Sequence, residues 1–125
     1  MTMNGRPAKP RVLVVDDERV IADTLSIILN KNGFDASAVY SGTAAVNRAQ
    51  ELQPELVISD VIMDDMNGIE AAIRIRELLP RCKILLFSGQ AATADLLEKA
   101  RKEGHEFEIL AKPVHPQDLL AKLKR

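Results

Sequence analysis

Five polar residues, scattered over nearly a hundred positions, follow four short apolar runs. Asp16 and Asp17 follow Arg11-Val12-Leu13-Val14-Val15, and Asp60 follows Leu56-Val57-Ile58-Ser59. Ser88, with Gly89 behind it, follows Lys83-Ile84-Leu85-Leu86-Phe87, and Lys112, with Pro113, follows Phe107-Glu108-Ile109-Leu110-Ala111. Short apolar runs bounded by turn residues have the pattern of strands buried on both faces of a parallel sheet. Such strands bring their carboxyl ends to one edge, where ligands of these sheets bind. Each residue alone has an ordinary explanation: Asp after a strand forms turns, Ser-Gly is a turn, and Lys before Pro is a solvated side chain. Together, an acid pair, an acid, a hydroxyl and an ammonium at four neighbouring strand tips make a candidate site.

Three carboxylates at one edge repel each other, by roughly 1 kcal/mol per pair in water and several times more when partly desolvated. A hard divalent cation offsets that repulsion. Mg²⁺ fits best, since it takes a few carboxylates and keeps positions open for water and a phosphoryl oxygen. His105 and His115 are far from the acids in sequence and have no ligand partner at helical spacing, so zinc is not expected. With the cation in place one acid can act as a nucleophile toward a phosphoryl donor. Lys112 would then supply a point charge, Ser88 a donor, and the backbone after Asp60 further donors for the equatorial oxygens.

The elements that must position these groups follow from the rest of the chain. Its 125 residues suit one domain with a real core. Glu18 to Asn32 carries Val20, Ile21, Thr24, Leu25, Ile28 and Leu29 at helical spacing up to Gly33, which predicts a first helix with that stripe inward. Phe34 to Val39 reads as a less apolar edge strand, and a helix opening at Ser41-Gly42 runs through Ala49. Ile69, Ala72, Ile73 and Arg76 predict a third helix ending at Pro80. Leu96, Leu97 and Ala100 predict a weakly anchored fourth over Thr93 to Lys102, and Pro116 to Leu123 a fifth with His115 at its cap. Strand and helix alternating five times predicts a parallel sheet with helices on both faces. The formal net charge of −1 gives no electrostatic case for direct nucleic-acid or membrane-surface binding. The single Cys82 cannot close an internal disulfide, and no apolar run reaches the roughly 20 residues of a membrane span. A soluble, cytoplasmic protein is expected, with residues 1–10 as a flexible N-terminal arm.

Val14-Val15-Asp16-Asp17-Glu18, Ser59-Asp60-Val61-Ile62-Met63 with Met66-Asn67-Gly68, Ser88-Gly89 and Lys112-Pro113 resemble, in order and spacing, the receiver domain of two-component response regulators. The resemblance covers residues 11–125. It implies a flavodoxin-like, doubly wound α/β fold of five parallel strands in the order 2-1-3-4-5. It implies that Asp60 is the phosphoacceptor, Asp17 a direct Mg²⁺ ligand and Asp16 a ligand through water or an outer acid, with the backbone carbonyl of Ile62 completing the protein's share of the metal shell. Ser88 and Lys112 would hold the phosphoryl group, and the Lys112-Pro113 peptide would be cis. The implied partners are a histidine kinase or phosphotransfer protein and a downstream effector, with the chain a monomer or weak dimer. Receivers of this kind accept phosphoryl groups without being turnover enzymes.

The chain departs from the family pattern at three places, one being the stretch Gly104-His105-Glu106-Phe107-Glu108-Ile109, about one residue longer than the common pattern. Asp64 stands where Pro is common, and Asp65 follows it, so extra negative charge surrounds the acceptor loop. Ile109 replaces the usual switch aromatic three residues before the Lys, and Phe107, on the same strand face two residues earlier, is the nearest substitute. Two other readings are carried forward. One is a scaffold receiver that binds partners without phosphorylation, and the other is a Mg²⁺-dependent phosphohydrolase with an aspartyl nucleophile. Those resembling haloacid dehalogenases carry a second acid two residues after the nucleophile, where this chain has Ile62.

Overall fold

The structure, a computed structural model, describes residues 9–63, 65–89 and 92–123. Most of the 1–10 arm and Asp64 therefore lie outside the described residues, as do the last two residues of the 11–125 domain. Ten elements alternate: β1 (Arg11–Val15), α1 (Arg19–Lys31), β2 (Asp35–Val39), α2 (Gly42–Leu52), β3 (Leu56–Asp60), α3 (Gly68–Leu78), β4 (Lys83–Ser88), α4 (Ala92–Lys102), β5 (Glu108–Ala111) and α5 (Pro116–Leu123). All strand pairs are parallel and the sheet order is β2-β1-β3-β4-β5. Consecutive parallel strands need crossovers, and α1 to α4 supply the four, with α5 following the last strand.

Alternation along the strands sorts the core into two layers. Leu13, Val15, Val57, Ile84 and Leu86 meet Ala45, Ala49, Ile69, Ala72, Ile75 and Ala100 on the face covered by α2, α3 and α4. Val12, Val14, Ile58, Leu85 and Phe87 meet Ala22, Leu25, Leu29 and Leu119 on the face covered by α1 and α5. The three central strands are buried on both faces, so their sequences are continuously apolar. β2 sits at the edge, and its half-buried Ala36, Ser37 and Ala38 match that position.

The first helix packs differently from its sequence expectation. Its buried positions are Ala22, Leu25, Ser26 and Leu29, whereas Val20 is 78% exposed and Ile21 36%. The series 22-25-26-29 is an equally regular helical stripe, but it hides behind two small residues, Ala22 and Ser26. With the small Ala22 and Ser26 on the buried side, the bulkier Val20 and Ile21 face outward.

Polar caps fix where the helices begin. Ser41 Oγ accepts the Ala44 amide at 3.0 Å, and Asn67 Oδ1 accepts the Glu70 amide at 2.8 Å. His115 holds the start of α5 through its backbone carbonyl, which accepts the amides of Asp118 and Leu119. Among the described residues no helix is long and apolar enough to cross a membrane.

Candidate functional site

β1 and β3 are adjacent, and their tips deliver the acids. Val15 pairs with Ser59, so Asp16 and Asp60 leave the sheet side by side at the point where the strand order reverses. Asp16, Asp17 and Asp60 each offer a carboxylate oxygen, and those oxygens all lie within 4.8 Å of one another. Asp16 is fully buried and Asp60 is 5% exposed, so both charges sit in a poorly solvated place. On the other side β4 and β5 bring Lys112. Phe87 pairs with Asp60 and Ser88 with Ala111, and the Lys112 amide donates to the Ser88 carbonyl at 3.1 Å. Lys112 Nζ reaches Asp60 Oδ1 at 3.0 Å.

All five strand-tip residues are thus at one edge of the sheet, as their order in the sequence predicts. Ser88 stands one residue past the level of Asp60, at the end of β4. Ile62 follows in the loop after β3 with its side chain 49% exposed. The Lys112–Pro113 peptide is cis, as the family pattern implies. His105 and His115 lie in a loop and at a helix cap, away from the acids in the chain. A cleft of about 540 Å³ opens beside the site, lined by Asp16, Glu18, Ile21, Phe87, Lys112 and Pro113 among others.

The electrostatics single out Asp16. Its Oδ1 accepts the Glu18 amide at 2.9 Å, while its buried Oδ2 has no hydrogen-bond partner among the described residues. Burial pushes its carboxyl from an ordinary 3.8 up to about 6; the Glu18 amide opposes this, the Asp60 charge adds to it, Lys112 opposes it and Asp17 adds a little. An orphaned oxygen on a buried acid, facing two more carboxylates, is a donor set suited to a hard cation.

Asp65 has a role that inspection of the sequence missed. Its two oxygens accept the Gly42 amide at 3.0 Å, the Thr43 amide at 2.9 Å and the Thr43 hydroxyl at 2.7 Å. These donors, the hydroxyl first, hold its carboxyl well below the usual carboxylate range. Its carboxylate is therefore held at the start of α2, and the acidic cluster consists of Asp16, Asp17 and Asp60 without it. No local signal could have revealed this, because the partner amides lie 22 and 23 residues earlier in the chain. Gly68, a motif residue in the sequence, marks a close approach. A Cβ on it would collide with the Asp60 carbonyl oxygen and press on Val61 Cα, so only glycine lets α3 start directly against the acceptor strand.

Phe107 does not stand in for the missing switch aromatic. Leu86 pairs with Ile109, which puts Phe107 four residues short of the Ser88 level, about 13 Å along a strand. There it packs against the α2–α4 core under the Arg76 guanidinium, 4.7 Å from the ring centroid, while Arg76 Nη1 donates to the Glu106 carbonyl at 2.7 Å. Ile109 is 36% exposed.

Comparison with known proteins agrees with this arrangement. The family model of the response regulator receiver domain matches residues 12–124. Chemotaxis protein CheY of Thermotoga maritima is 32% identical over 116 residues, covering 92% of this chain and 95% of that protein. The DNA-binding response regulator MtrA of Mycobacterium tuberculosis is 30% identical over 93% of this chain but only 50% of its own length. The chain thus spans about half the length of the mycobacterial regulators it matches. Among solved structures, chemotaxis protein CheY4 of Vibrio cholerae superposes with a TM-score of 0.83 at 28% identity, over 94% of this chain and 98% of that one. With a matching family model over nearly its whole length, the expected strand order and the acids at the switch point, the chain belongs to the receiver domain family of two-component response regulators.

Proposed function

We propose that Asp60 accepts a phosphoryl group in a Mg²⁺-dependent reaction and that the phosphorylated form binds a downstream effector differently. The observation that carries this reading is the 3.0 Å contact of Lys112 Nζ with Asp60 Oδ1, beside a buried acid whose second oxygen lacks a partner among the described residues. The cation would be held by Asp17 and Asp60 directly and by the Ile62 carbonyl, with Asp16 a ligand through water or an outer acid. When bound, Mg²⁺ would neutralise the carboxylates and the incoming phosphoryl oxygens.

An Asp60 oxygen attacks phosphorus while the bond from phosphorus to the donor breaks, and the donor leaves with that electron pair. The donor is the imidazole nitrogen of a histidine kinase or phosphotransfer protein, or the carboxylate of acetyl phosphate. Lys112 balances charge on the phosphoryl oxygens and Ser88 donates its hydroxyl to them. Recruitment of Ser88 then biases the end of β4 and the helix after it. The anchorage of α4 suits that role: Ala100 is its buried apolar residue, with Leu96 and Leu97 half-buried beside it. The protein works in the cytoplasm as a monomer or weak dimer and is a signalling switch, not a turnover enzyme.

Incubation with acetyl phosphate and Mg²⁺ should add one phosphoryl group to Asp60 as an acid-stable, base-labile adduct that Asp60→Asn abolishes. Folded protein that takes up no label refutes the reading. The exposed Ile109 favours one alternative, a receiver that engages its partner without phosphorylation. Equal partner affinity for wild type and Asp60→Asn, with and without acetyl phosphate, would select it. Steady turnover of a phosphate ester would instead select a phosphohydrolase.

A further inference from the structure

The loop that leaves Asp60 is fastened at three levels. At its base the Val61 amide donates to the Phe87 carbonyl at 3.2 Å, and the Gly68 amide closes back onto the Val61 carbonyl at 2.7 Å. At its far end Asn67 caps α3. Between them, Asp65 reaches sideways to α2 with three hydrogen bonds. Ser41 Oγ takes the Ala44 amide, which leaves the Gly42 and Thr43 amides, unpaired inside the helix, for the Asp65 carboxylate. The approach is close: a Cβ on Gly42 would lie 2.6 Å from Met66 Cγ and 3.2 Å from Met66 Cβ. Met63, 8% exposed, sits in the same core cluster as Ala45 and Ala49 of α2.

We propose that Asp65 is a positioning residue for the acidic cluster: by gripping the first turn of α2 it sets the path of Val61–Met63 beside Asp60, and through that path the cluster's affinity for a divalent cation. The inference rests on the cation reading of Asp16, Asp17 and Asp60. Asp65 acts through the backbone of its loop. Both its oxygens are already engaged by α2, so the role assigned to it is positioning and not ligation. The tether bears on the cluster because the loop is short and closed at both ends. Releasing it frees Met66 from Gly42 and Met63 from the α2 side of the core, one on each side of the tether. The backbone between Asp60 and Met63 then loses its lateral reference.

The test compares wild type with Asp65→Ala, Asp65→Asn and Thr43→Ala, each ¹⁵N-labelled, first metal-free and then titrated with MgCl₂ alone. In the metal-free protein Asp65→Ala should move the amide signals of Val61, Ile62 and Met63 as well as those of Gly42 and Thr43. It should also raise the Mg²⁺ Kd, by about tenfold, the low end of the roughly 10–100-fold scale for residues that orient ligands without touching the metal. Asp65→Asn keeps an acceptor for one amide and should recover part of the affinity, whereas Thr43→Ala removes only the hydroxyl donor and should have the smallest effect. Signal changes confined to residues 41–45 with an unaltered Kd would overturn the proposal and leave Asp65 as a helix cap. If Asp65→Ala does not give a dispersed spectrum, Asp65→Asn and Thr43→Ala decide by the same criteria. Wild type that binds no Mg²⁺ would instead overturn the cation reading itself, and the metal-free signals of Val61–Met63 would still judge the positioning.

Discussion

Replacing Asp16 by Asn should stabilise the metal-free protein, although it damages the site. Asp16 is fully buried, one of its oxygens has no hydrogen-bond partner among the described residues, and two carboxylates face it. Folding therefore raises its pKa from 3.8 to about 6. Below about pH 3 the acid is largely protonated in both folded and unfolded chains and contributes little. As pH rises from about 4 to 6 the unfolded chain has lost a proton that the folded one keeps, so stability falls. Above about pH 6 the penalty is complete. The interval between 3.8 and about 6, at about 1.4 kcal/mol per pH unit, makes it about 3 kcal/mol. Asn keeps the Oδ1 that accepts the Glu18 amide and carries no charge to desolvate. In urea titrations with EDTA, Asp16→Asn should exceed wild type by about 2–3 kcal/mol at pH 7.5, a midpoint shift of roughly 1–2 M urea. The gap should close toward pH 4. Saturating Mg²⁺ should narrow it, since a ligand at 100 times its Kd adds about 2.7 kcal/mol to the form that binds it. A gap that is absent at pH 7.5, or that stays constant from pH 4 to 8, refutes the argument that an ionised, poorly solvated Asp16 destabilises the fold.

Gly68→Ala should be severely destabilising, by about 3 kcal/mol or more, because the new methyl meets backbone at Asp60 and Val61 instead of a side chain that could swing away; a urea midpoint within error of wild type counts against the close approach. Gln53 ends α2 in the left-handed region at φ 49°, so Gln53→Gly should raise stability by about 0.5–1 kcal/mol by calorimetry, and a loss would contradict the strain. Cys82 is buried and burial raises its thiol pKa to about 11, so it should react with a thiol reagent at pH 8 far more slowly in native than in urea-unfolded protein. Equal rates would show that it is accessible.

The strand cores, their parallel pairing and the five residues at their tips could be read from the chain itself. A strand buried on both faces must be apolar throughout, and a polar residue that ends such a strand has one place to go, the sheet edge. For that reason Asp16, Asp17, Asp60, Ser88 and Lys112 were legible together, and the family pattern added the strand order. The inward face of α1 was not legible in the same way. Val20 and Ile21 satisfy helical spacing as well as Ala22 and Ser26 do, and only the seating of α1 on the sheet chooses the smaller pair. Periodicity ranks faces by hydrophobicity, whereas packing also asks for fit.

The tertiary structure alone decided what the extra charge and the missing aromatic mean. Asp65 reads locally as one more acid near a cation site. Its true partners are amides at the start of a helix more than twenty residues earlier, brought within reach by the crossover between β2 and β3. Phe107 reads as a stand-in for the aromatic that Ile109 replaces, but the β4–β5 register holds it one side-chain layer too far down the sheet, beneath Arg76. Short-range chemistry is written in residue type and spacing. Which distant groups meet depends on register and crossover, and those are settled only when the whole core closes.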